Sequence, residues 1–224
     1  MITAACKLFK ECHMQITIAL AKGRLAEKAM VILEKCGIDC SELKEDSRKL
    51  ILYDKKNDVR FILVKPTDVP TYVDHGVADI GIVGKDTLLE ANLPLYEMVD
   101  LKFGKCRLAV AGYPAKQDTS LTSSVLRVAT KYPEVAKRYY ASKGVSVECI
   151  KLNGSVELGP ILGLSDVILD IVESGRTLVE NGLVIIEDVS DVSARLAVNR
   201  ASLKIKATVL KPLIEKIEKA VEEG

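Results

Sequence analysis

The chain has 224 residues, of which 48% are hydrophobic and 28% charged, and its formal net charge is +1. This length supports one large domain or two small ones with a real core. The near balance of charge argues against a nucleic-acid-binding or membrane-surface protein, because such proteins usually carry a basic excess. No apolar run approaches the ~18 residues that a membrane span needs. Residues 1–13 lack the apolar core of a signal peptide, so we expect a cytoplasmic protein in which they form a dispensable extension or a misassigned start.

Apolar periodicity predicts strands that alternate with helices along the chain. The predicted strands are residues 15–20, 50–53, 60–65, 78–84, 106–112, 127–130, 145–152, 167–170, 183–188 and 195–199. The predicted helices are residues 25–36, 68–75, 85–91, 133–143, 154–163, 177–181 and 203–222. This alternation is typical of an α/β protein with largely parallel sheets. Because the units are too numerous for one sheet, we expect two α/β lobes with a cleft between them.

The stretch DIVESGRT begins with Asp170, which directly follows the apolar run 167–169. In open α/β sheets, ligands bind at the carboxyl ends of strands. The turn after Asp170 offers backbone N–H groups, the hydroxyls of Ser174 and Thr177 and the flexible Gly175, a combination suited to a phosphate. A carboxylate at the strand end suits sugar hydroxyls, so the stretch predicts a site for a ribose 5-phosphate. The alternative is an ordinary strand–turn–helix with Thr177 as the helix N-cap.

A second candidate binding segment, AKGR, closes the first predicted strand. Its Lys22 and Arg24 flank a glycine that lets the backbone approach a ligand closely. Two cations at the carboxyl end of a strand suit a polyphosphate, and Arg48 and Lys49 add weaker evidence of the same kind. The alternative is a set of solvated charges at the start of a helix. The sequence shows no dense cluster of carboxylates of the kind that would indicate a dedicated metal site.

The run from Glu157 to Leu178, ELGPILGLSDVILDIVESGRTL, resembles the signature of the ATP phosphoribosyltransferase family, the first enzymes of histidine biosynthesis. The segments ALAKGRL, YVDHGVADIGIVGKD, FGKCRLAVAG, KLNGSVELGP and SARLAVNRAS resemble the same family, so the likeness extends over residues 15–202. One departure is Lys65, which stands before Pro66 where the family usually has Arg. A point charge there replaces a bidentate donor.

The resemblance implies a bilobal fold similar to type II periplasmic binding proteins. Lobe I would comprise residues 1–102 and 184–224, and lobe II, with the phosphate loop, residues 103–183. The implied activity is that of a pentosyl-transferring glycosyltransferase, which moves the phosphoribosyl group of phosphoribosyl pyrophosphate (PRPP) to N1 of the ATP adenine and releases pyrophosphate. Mg²⁺ would arrive with PRPP or pyrophosphate.

The resemblance also implies roles for individual residues. The PRPP-binding set would be Asp170, Glu173, Ser174, Gly175, Arg176 and Thr177. The set that binds ATP or pyrophosphate would be Lys22, Arg24, Arg48, Lys49 and Glu157, and the catalytic residues would be Arg24, Arg48 and Asp170. Adenine N1 already has a free lone pair, so no general base is required. Catalysis would then come from positioning and electrostatics, in keeping with a chain that has only two histidines.

The chain stops one predicted helix after NRAS. This indicates the short form of the family, which works in a hetero-oligomer with a separate regulatory subunit resembling histidyl-tRNA synthetase. A homodimer is also expected. The competing hypothesis is a non-catalytic bilobal ligand-binding or sensor protein, because fold alone does not fix function. The phosphate loop together with the cationic residues favours the enzyme.

Overall fold

The computed structural model describes residues 14–45, 48–114 and 125–223. Residues 1–13 and the polar segment 115–124, which the sequence predicts to be a surface loop, lie outside the described residues. The strands are β1 Ile16–Ala21, β2 Ile51–Asp54, β3 Val59–Val64, β4 Ile80–Gly84, β5 Tyr96–Asp100, β6 Cys106–Gly112, β7 Leu126–Thr130, β8 Val147–Lys151, β9 Val167–Val172, β10 Val184–Val192 and β11 Ala194–Val198. The helices are α1 Arg24–Lys35, α2 Ser41–Lys44, α3 Val69–Asp74, α4 Lys85–Ala91, α5 Pro133–Ser142, α6 Leu158–Ile161, α7 Arg176–Glu180, α8 Arg200–Ile205 and α9 Ala207–Glu222.

The chain divides into two compact units, each built around its own sheet. Unit 1 comprises Met1–Val83, Leu93–Leu101 and Arg195–Gly224, and unit 2 comprises Gly84–Asn92 and Lys102–Ala194. The prediction of a two-unit α/β fold of the type II periplasmic-binding-protein kind is confirmed. Unit 2 takes in residues 84–92 and 184–194, which the predicted lobe I contains. Strand β10 belongs there because it pairs with β6.

The sheet of unit 1 has the strand order β2-β3-β1-β4-β11-β5. Its central strand β1 is buried along its whole length and runs parallel to β3 and β4. This burial explains the apolar character of the strand, since parallel strands are covered on both faces. The register pairs Ala21 with Val64, so β1 and β3 end at the same edge of the sheet.

The sheet of unit 2 has the strand order β10-β6-β9-β7-β8. Strand β7 runs parallel to β8 and β9, but β6 runs antiparallel to both β9 and β10. In unit 1, β2 and β11 likewise make antiparallel pairs. The expectation of largely parallel sheets is therefore wrong, and both sheets are mixed. Apolar periodicity reports which residues are buried, and it carries no information on strand direction.

The charged C-terminal tail differs from the single predicted helix. It is broken at Lys206 into α8 and α9. The Nζ of Lys206 donates to Oδ2 of Asp79 at 2.8 Å and to the carbonyl of Gln15 at 2.7 Å, which fixes the break to the sheet of unit 1. Among the described residues, no helix is both long enough and apolar enough to cross a membrane.

Candidate functional site

Asp170 lies within strand β9, and the prediction that it ends the strand is wrong. Strand β9 continues to Val172 because its antiparallel pairing with β6 goes on through Ile171 and Val172. Alternation along a strand puts Ile168, Asp170 and Val172 on one face of the sheet. Ile168 and Val172 belong to the apolar cluster that contains Leu178. The carboxylate of Asp170 is thus held by a rigid strand rather than by a loop.

The turn after β9 leads directly into α7. Gly175 is in the left-handed region, with φ of 73°, and occupies the position before the helix, where no side chain caps the backbone. Helix α7 begins at Arg176, whose N–H donates to Oγ of Ser174 at 3.4 Å. Thr177 lies inside the first turn, so the alternative in which Thr177 is the N-cap is wrong.

One pocket of unit 2, with a volume of about 280 Å³, brings this segment together. It is lined by Glu157, Ile168, Asp170, Ile171, Val172, Glu173, Ser174, Gly175, Arg176, Thr177 and Leu178. The whole PRPP-binding set predicted from the sequence is present. Glu157, which the resemblance grouped with the ATP- and pyrophosphate-binding residues, lines the same pocket.

Burial dominates the electrostatics of Asp170 and raises the pKa of its carboxyl group. The N–H of Ile171 donates to the carboxylate and offsets part of this rise, while the negative charges of Glu157 and Asp86 add to it and Lys131 opposes it. A carboxylate that burial destabilises gains from every donor or positive charge that a ligand brings. Asp170 is therefore suited to sugar hydroxyls and to a developing cation.

Lys22 and Arg24 lie at the edge of the unit 1 sheet where β1 ends. The N–H of Lys22 donates to the carbonyl of Val64 at 3.1 Å, and Gly23, with φ of 99°, turns the chain into α1, which begins at Arg24. Lys22 and Arg24 are both exposed. Their side chains are therefore accessible to an anionic ligand.

Arg48 and Lys49 precede β2 and are also exposed. The N–H of Leu63 donates to the carbonyl of Leu50 at 2.9 Å, so the start of β2 lies beside the end of β3. The register of β3 with β1 then puts Arg48 and Lys49 at the same edge as the end of β1. The structure thus brings all four predicted cations to one edge of unit 1.

Three polar residues beneath Asp170 have no signal in the sequence. The hydroxyl of Tyr132 donates to Oδ2 of Asp86 at 2.9 Å. The N–H of Tyr132 donates to Oγ1 of Thr130 at 2.8 Å, and this hydroxyl donates to the carbonyl of Leu169 at 2.6 Å. Asp86, Thr130, Tyr132 and Leu169 are all buried. Asp86 and Leu169 lie far from Thr130 and Tyr132 in the sequence, so no local motif contains the set.

No dedicated metal-binding cluster is apparent in the part of the chain that the structure describes. Within residues 14–45, 48–114 and 125–223, no group of three or more His, Cys, Asp or Glu side chains is arranged to hold a metal ion. The carboxylates of the pocket are instead positioned around the space that a ligand would fill.

Comparisons with known proteins give one answer. The profile of the family described as "HisG: ATP phosphoribosyltransferase" matches residues 65–219. An ATP phosphoribosyltransferase of Caldanaerobacter subterraneus subsp. tengcongensis is 56% identical over 209 residues, which cover 93% of this chain and 99% of that protein. One from Clostridium acetobutylicum is 53% identical over 208 residues, or 92% of this chain and 96% of that protein.

A solved structure agrees with these relatives. The ATP phosphoribosyl transferase (HisG:HisZ) complex from Thermotoga maritima contains a chain that superposes with a TM-score of 0.81 at 38% identity. The match covers 94% of this chain and 100% of that one.

Proposed function

Since the chain belongs to the ATP phosphoribosyltransferase family, we propose that its unit 2 pocket binds the phosphoribosyl group of PRPP. The activity is a glycosyl transfer of histidine biosynthesis, in which the phosphoribosyl group passes to N1 of the ATP adenine and pyrophosphate leaves. The observation that carries the assignment of the pocket is its lining. Asp170 and the turn from Glu173 to Thr177 line one pocket of about 280 Å³, just below the range of about 300–1,000 Å³ for small-molecule sites.

The turn between β9 and α7 binds the 5-phosphate. The backbone N–H groups from Ser174 to Thr177 and the hydroxyls of Ser174 and Thr177 are the donors, since such turns form concave anion sites. The ribose hydroxyls donate to Asp170 and to Glu157, the two carboxylates of the pocket that lie outside this turn. Glu173 and Arg176 flank the phosphate with opposite charges.

The reaction demands positioning and charge stabilisation rather than proton transfer. Adenine N1 attacks C1 of the ribose with its own lone pair, the C1–O bond to pyrophosphate breaks, and positive charge develops on the ribose. The carboxylate of Asp170 stabilises that charge, and it does so more strongly because it is largely removed from water. Arg24 and Arg48 are the catalytic cations that stabilise the leaving group.

The other cations and the metal complete the charge balance. Lys22 and Lys49 neutralise the phosphates of ATP or the departing pyrophosphate. Mg²⁺ would enter with the substrate, because this ion usually keeps several waters and binds through substrate phosphates rather than in dedicated protein cages.

The chain works with a second subunit. The similar chain from Thermotoga maritima forms part of a HisG:HisZ complex, and we propose that this chain likewise associates with a regulatory subunit resembling histidyl-tRNA synthetase, alongside a homodimer of its own. A cytoplasmic location suits a biosynthetic enzyme that uses ATP and PRPP.

The test of the pocket uses two competitive inhibitors that differ by one hydroxyl. Ribose 5-phosphate should compete with PRPP better than 2-deoxyribose 5-phosphate. In Asp170→Asn this preference should fall about tenfold, because a hydrogen bond to a charged group contributes about 1.5 kcal/mol. Turnover of Asp170→Asn close to that of the unmodified enzyme would disprove the ribose assignment.

The phosphate turn has its own matched pair of variants. Thr177→Val removes a pocket hydroxyl and should raise the KM for PRPP. Val179→Thr, two residues further on α7, changes a side chain that is 74% exposed and lies outside the pocket lining. It should leave the KM for PRPP unchanged, and equal effects of the two substitutions would count against phosphate binding at the turn.

A further inference from the structure

We propose that Asp86, Tyr132 and Thr130 are positioning residues, joined in a buried chain of hydrogen bonds that fixes Asp170 in the pocket. The proposal rests on the proposed function, in which Asp170 binds the ribose. None of the three residues lines the pocket, so each acts through the backbone of β9 or through its charge rather than by touching the substrate.

The chain of bonds is continuous from α4 to β9. The Asp86 carboxylate accepts from the Tyr132 hydroxyl at 2.9 Å, and the Tyr132 N–H donates to Oγ1 of Thr130 at 2.8 Å. The Thr130 hydroxyl then donates to the carbonyl of Leu169, the residue directly before Asp170, at 2.6 Å. Thr130 is fully buried and Tyr132 is 3% exposed, so water does not compete for these bonds.

The last bond of the chain acts on the peptide that orients Asp170. Thr130 and Leu169 are already partners in the parallel register of β7 and β9, so the ladder aligns the strands without the hydroxyl. Leu169 packs on the face that contains Tyr132, whereas Asp170 faces the pocket. Holding the Leu169 carbonyl from one face therefore fixes the direction in which Asp170 projects from the other.

The hydroxyl of Thr130 has two partners that a valine could not serve. It accepts from the N–H of Tyr132 and donates to the carbonyl of Leu169. A valine would fill a similar volume in this fully buried position but would leave both backbone groups without this partner. Because backbone groups are fixed at both ends, the hydroxyl restrains the peptide of Leu169 and Asp170.

The Asp86 end of the chain is itself held in place. Gly84 leaves room for the Asp86 carboxylate, because a Cβ at position 84 would lie 2.1 Å from Oδ1. Helix α4 is tied to α5 by Glu90, whose Oε2 accepts from the N–H groups of Glu134 at 3.0 Å and Val135 at 3.1 Å. The anchor of the chain is thus a fixed carboxylate.

Electrostatics support the assignment of donor and acceptor. Burial and the negative charge of Asp86 raise the pKa of Tyr132, so its hydroxyl remains a donor across the working pH range. The charged groups that act on Asp170 are Glu157, Lys131 and Asp86. Asp86 therefore affects Asp170 in two ways, through the bonded chain and through its charge.

The first test compares Thr130→Val with Thr130→Ser. Serine keeps the hydroxyl and should retain kcat/KM for PRPP within about twofold. Valine should lower it about tenfold, less than the loss of about a hundredfold that a misplacement of about 1 Å can cause. Thr130→Val should also reduce the preference for ribose 5-phosphate over 2-deoxyribose 5-phosphate. The KM for ATP should not change in either variant.

Tyr132→Phe extends the test to the next bond. It should lower kcat/KM for PRPP about threefold, a partial loss because the Tyr132 N–H remains to hold Thr130. The matched control is Tyr140→Phe, a buried tyrosine of the same apolar cluster that lies outside the bonded chain, and it should leave PRPP kinetics unchanged.

Asp170→Asn, assayed in parallel, separates this proposal from the function on which it rests. If Asp170→Asn loses the ribose preference while Thr130→Val and Thr130→Ser behave alike, the positioning role is wrong and the pocket assignment stands. If Asp170→Asn keeps the preference, both are wrong. A loss of kcat/KM in Thr130→Val no larger than the fraction of unfolded protein would also overturn the positioning role.

The charge of Asp86 gives a readout that packing alone would not move. Asp86→Asn removes a negative charge that raises the pKa of Asp170, so the acid limb of the pH profile of kcat/KM for PRPP should shift to lower pH. Thr130→Val should leave that limb in place. An unmoved limb in Asp86→Asn would overturn the charge effect of Asp86 on Asp170, and the bonded chain is tested by Tyr132→Phe and the Thr130 variants.

Discussion

Gly175→Ala is the sharpest local test of the phosphate turn, because its cost to folding has a matched control. Gly175 has φ of 73°, and Gly144, at the end of α5, has φ of 70°. A Cβ at Gly175 would lie 3.7 Å from Cγ1 of Val172, an ordinary contact, and one at Gly144 would meet nothing within 4 Å. Each substitution should therefore lower the free energy of unfolding by about 1 kcal/mol, because alanine is disfavoured in the left-handed region.

The two variants should differ in PRPP binding. Relaxation of the backbone at Gly175 would move the N–H groups of the turn, and loss of one charge-assisted hydrogen bond costs about 1.5 kcal/mol. The KM for PRPP should thus rise about tenfold in Gly175→Ala and stay constant in Gly144→Ala. The assays are urea unfolding of both variants and steady-state kinetics at varied PRPP with ATP saturating.

Two outcomes would refute this reasoning. Equal losses of stability with an unchanged KM for PRPP in both variants would show that the geometry of Gly175 does not serve phosphate binding. Equal rises in KM would show that the effect is general destabilisation of unit 2, and that the turn has no special role.

Two further predictions concern stability. Lys206→Met should lower the free energy of unfolding by about 3 kcal/mol, because it removes the positive partner of the Asp79 carboxylate, whose side chain is only 4% exposed. The N–H of Thr17 remains as a donor to that carboxylate. Lys204→Met, at an exposed position of α8, should lower it by less than about 0.5 kcal/mol, and a comparable loss at Lys204 would contradict this reasoning. Asp170→Asn should stabilise the protein at pH 7 while it impairs catalysis. Burial raises the pKa of Asp170 in the folded protein above its usual 3.8. Ionisation of Asp170 therefore begins to oppose folding near pH 3.8, and this effect is complete above the pKa of the folded state. In urea unfolding, the advantage of the asparagine should vanish below about pH 3.8, and an asparagine variant that is less stable than the parent at pH 7 would contradict the burial argument.

The turn from Glu173 to Thr177, for which phosphate binding is proposed, could be located from the sequence because its polar residues are contiguous. The short run from Asp170 to Thr177 contains the carboxylate, the hydroxyls and the glycine, and the strand before it is legible from its apolar residues. Periodicity also located most strands and helices. Strand β5, Tyr96–Asp100, escaped because its first three residues are exposed, so it has no apolar run to reveal it.

The features that the sequence analysis did not predict depend on contacts between residues far apart in the chain. Strand β9 extends beyond its apolar run because β6 pairs with it as far as Val172. The pairing residues of β6 lie more than 60 positions earlier in the chain, so the residues near β9 do not indicate this extension. The bond from Tyr132 to Asp86 joins residues 46 apart, and the bond from Thr130 to Leu169 joins residues 39 apart. Each residue alone is an ordinary buried polar side chain, and only the fold shows that they form one chain.

The most direct test of the central claim is formation of phosphoribosyl-ATP from ATP, PRPP and Mg²⁺, followed by ultraviolet absorbance with pyrophosphatase present. The purified chain should form product, alone or after addition of the regulatory subunit, and Asp170→Asn should form it far more slowly while remaining folded. Absence of product under both conditions from correctly folded protein would contradict the assigned activity, and undiminished turnover by Asp170→Asn would contradict the pocket.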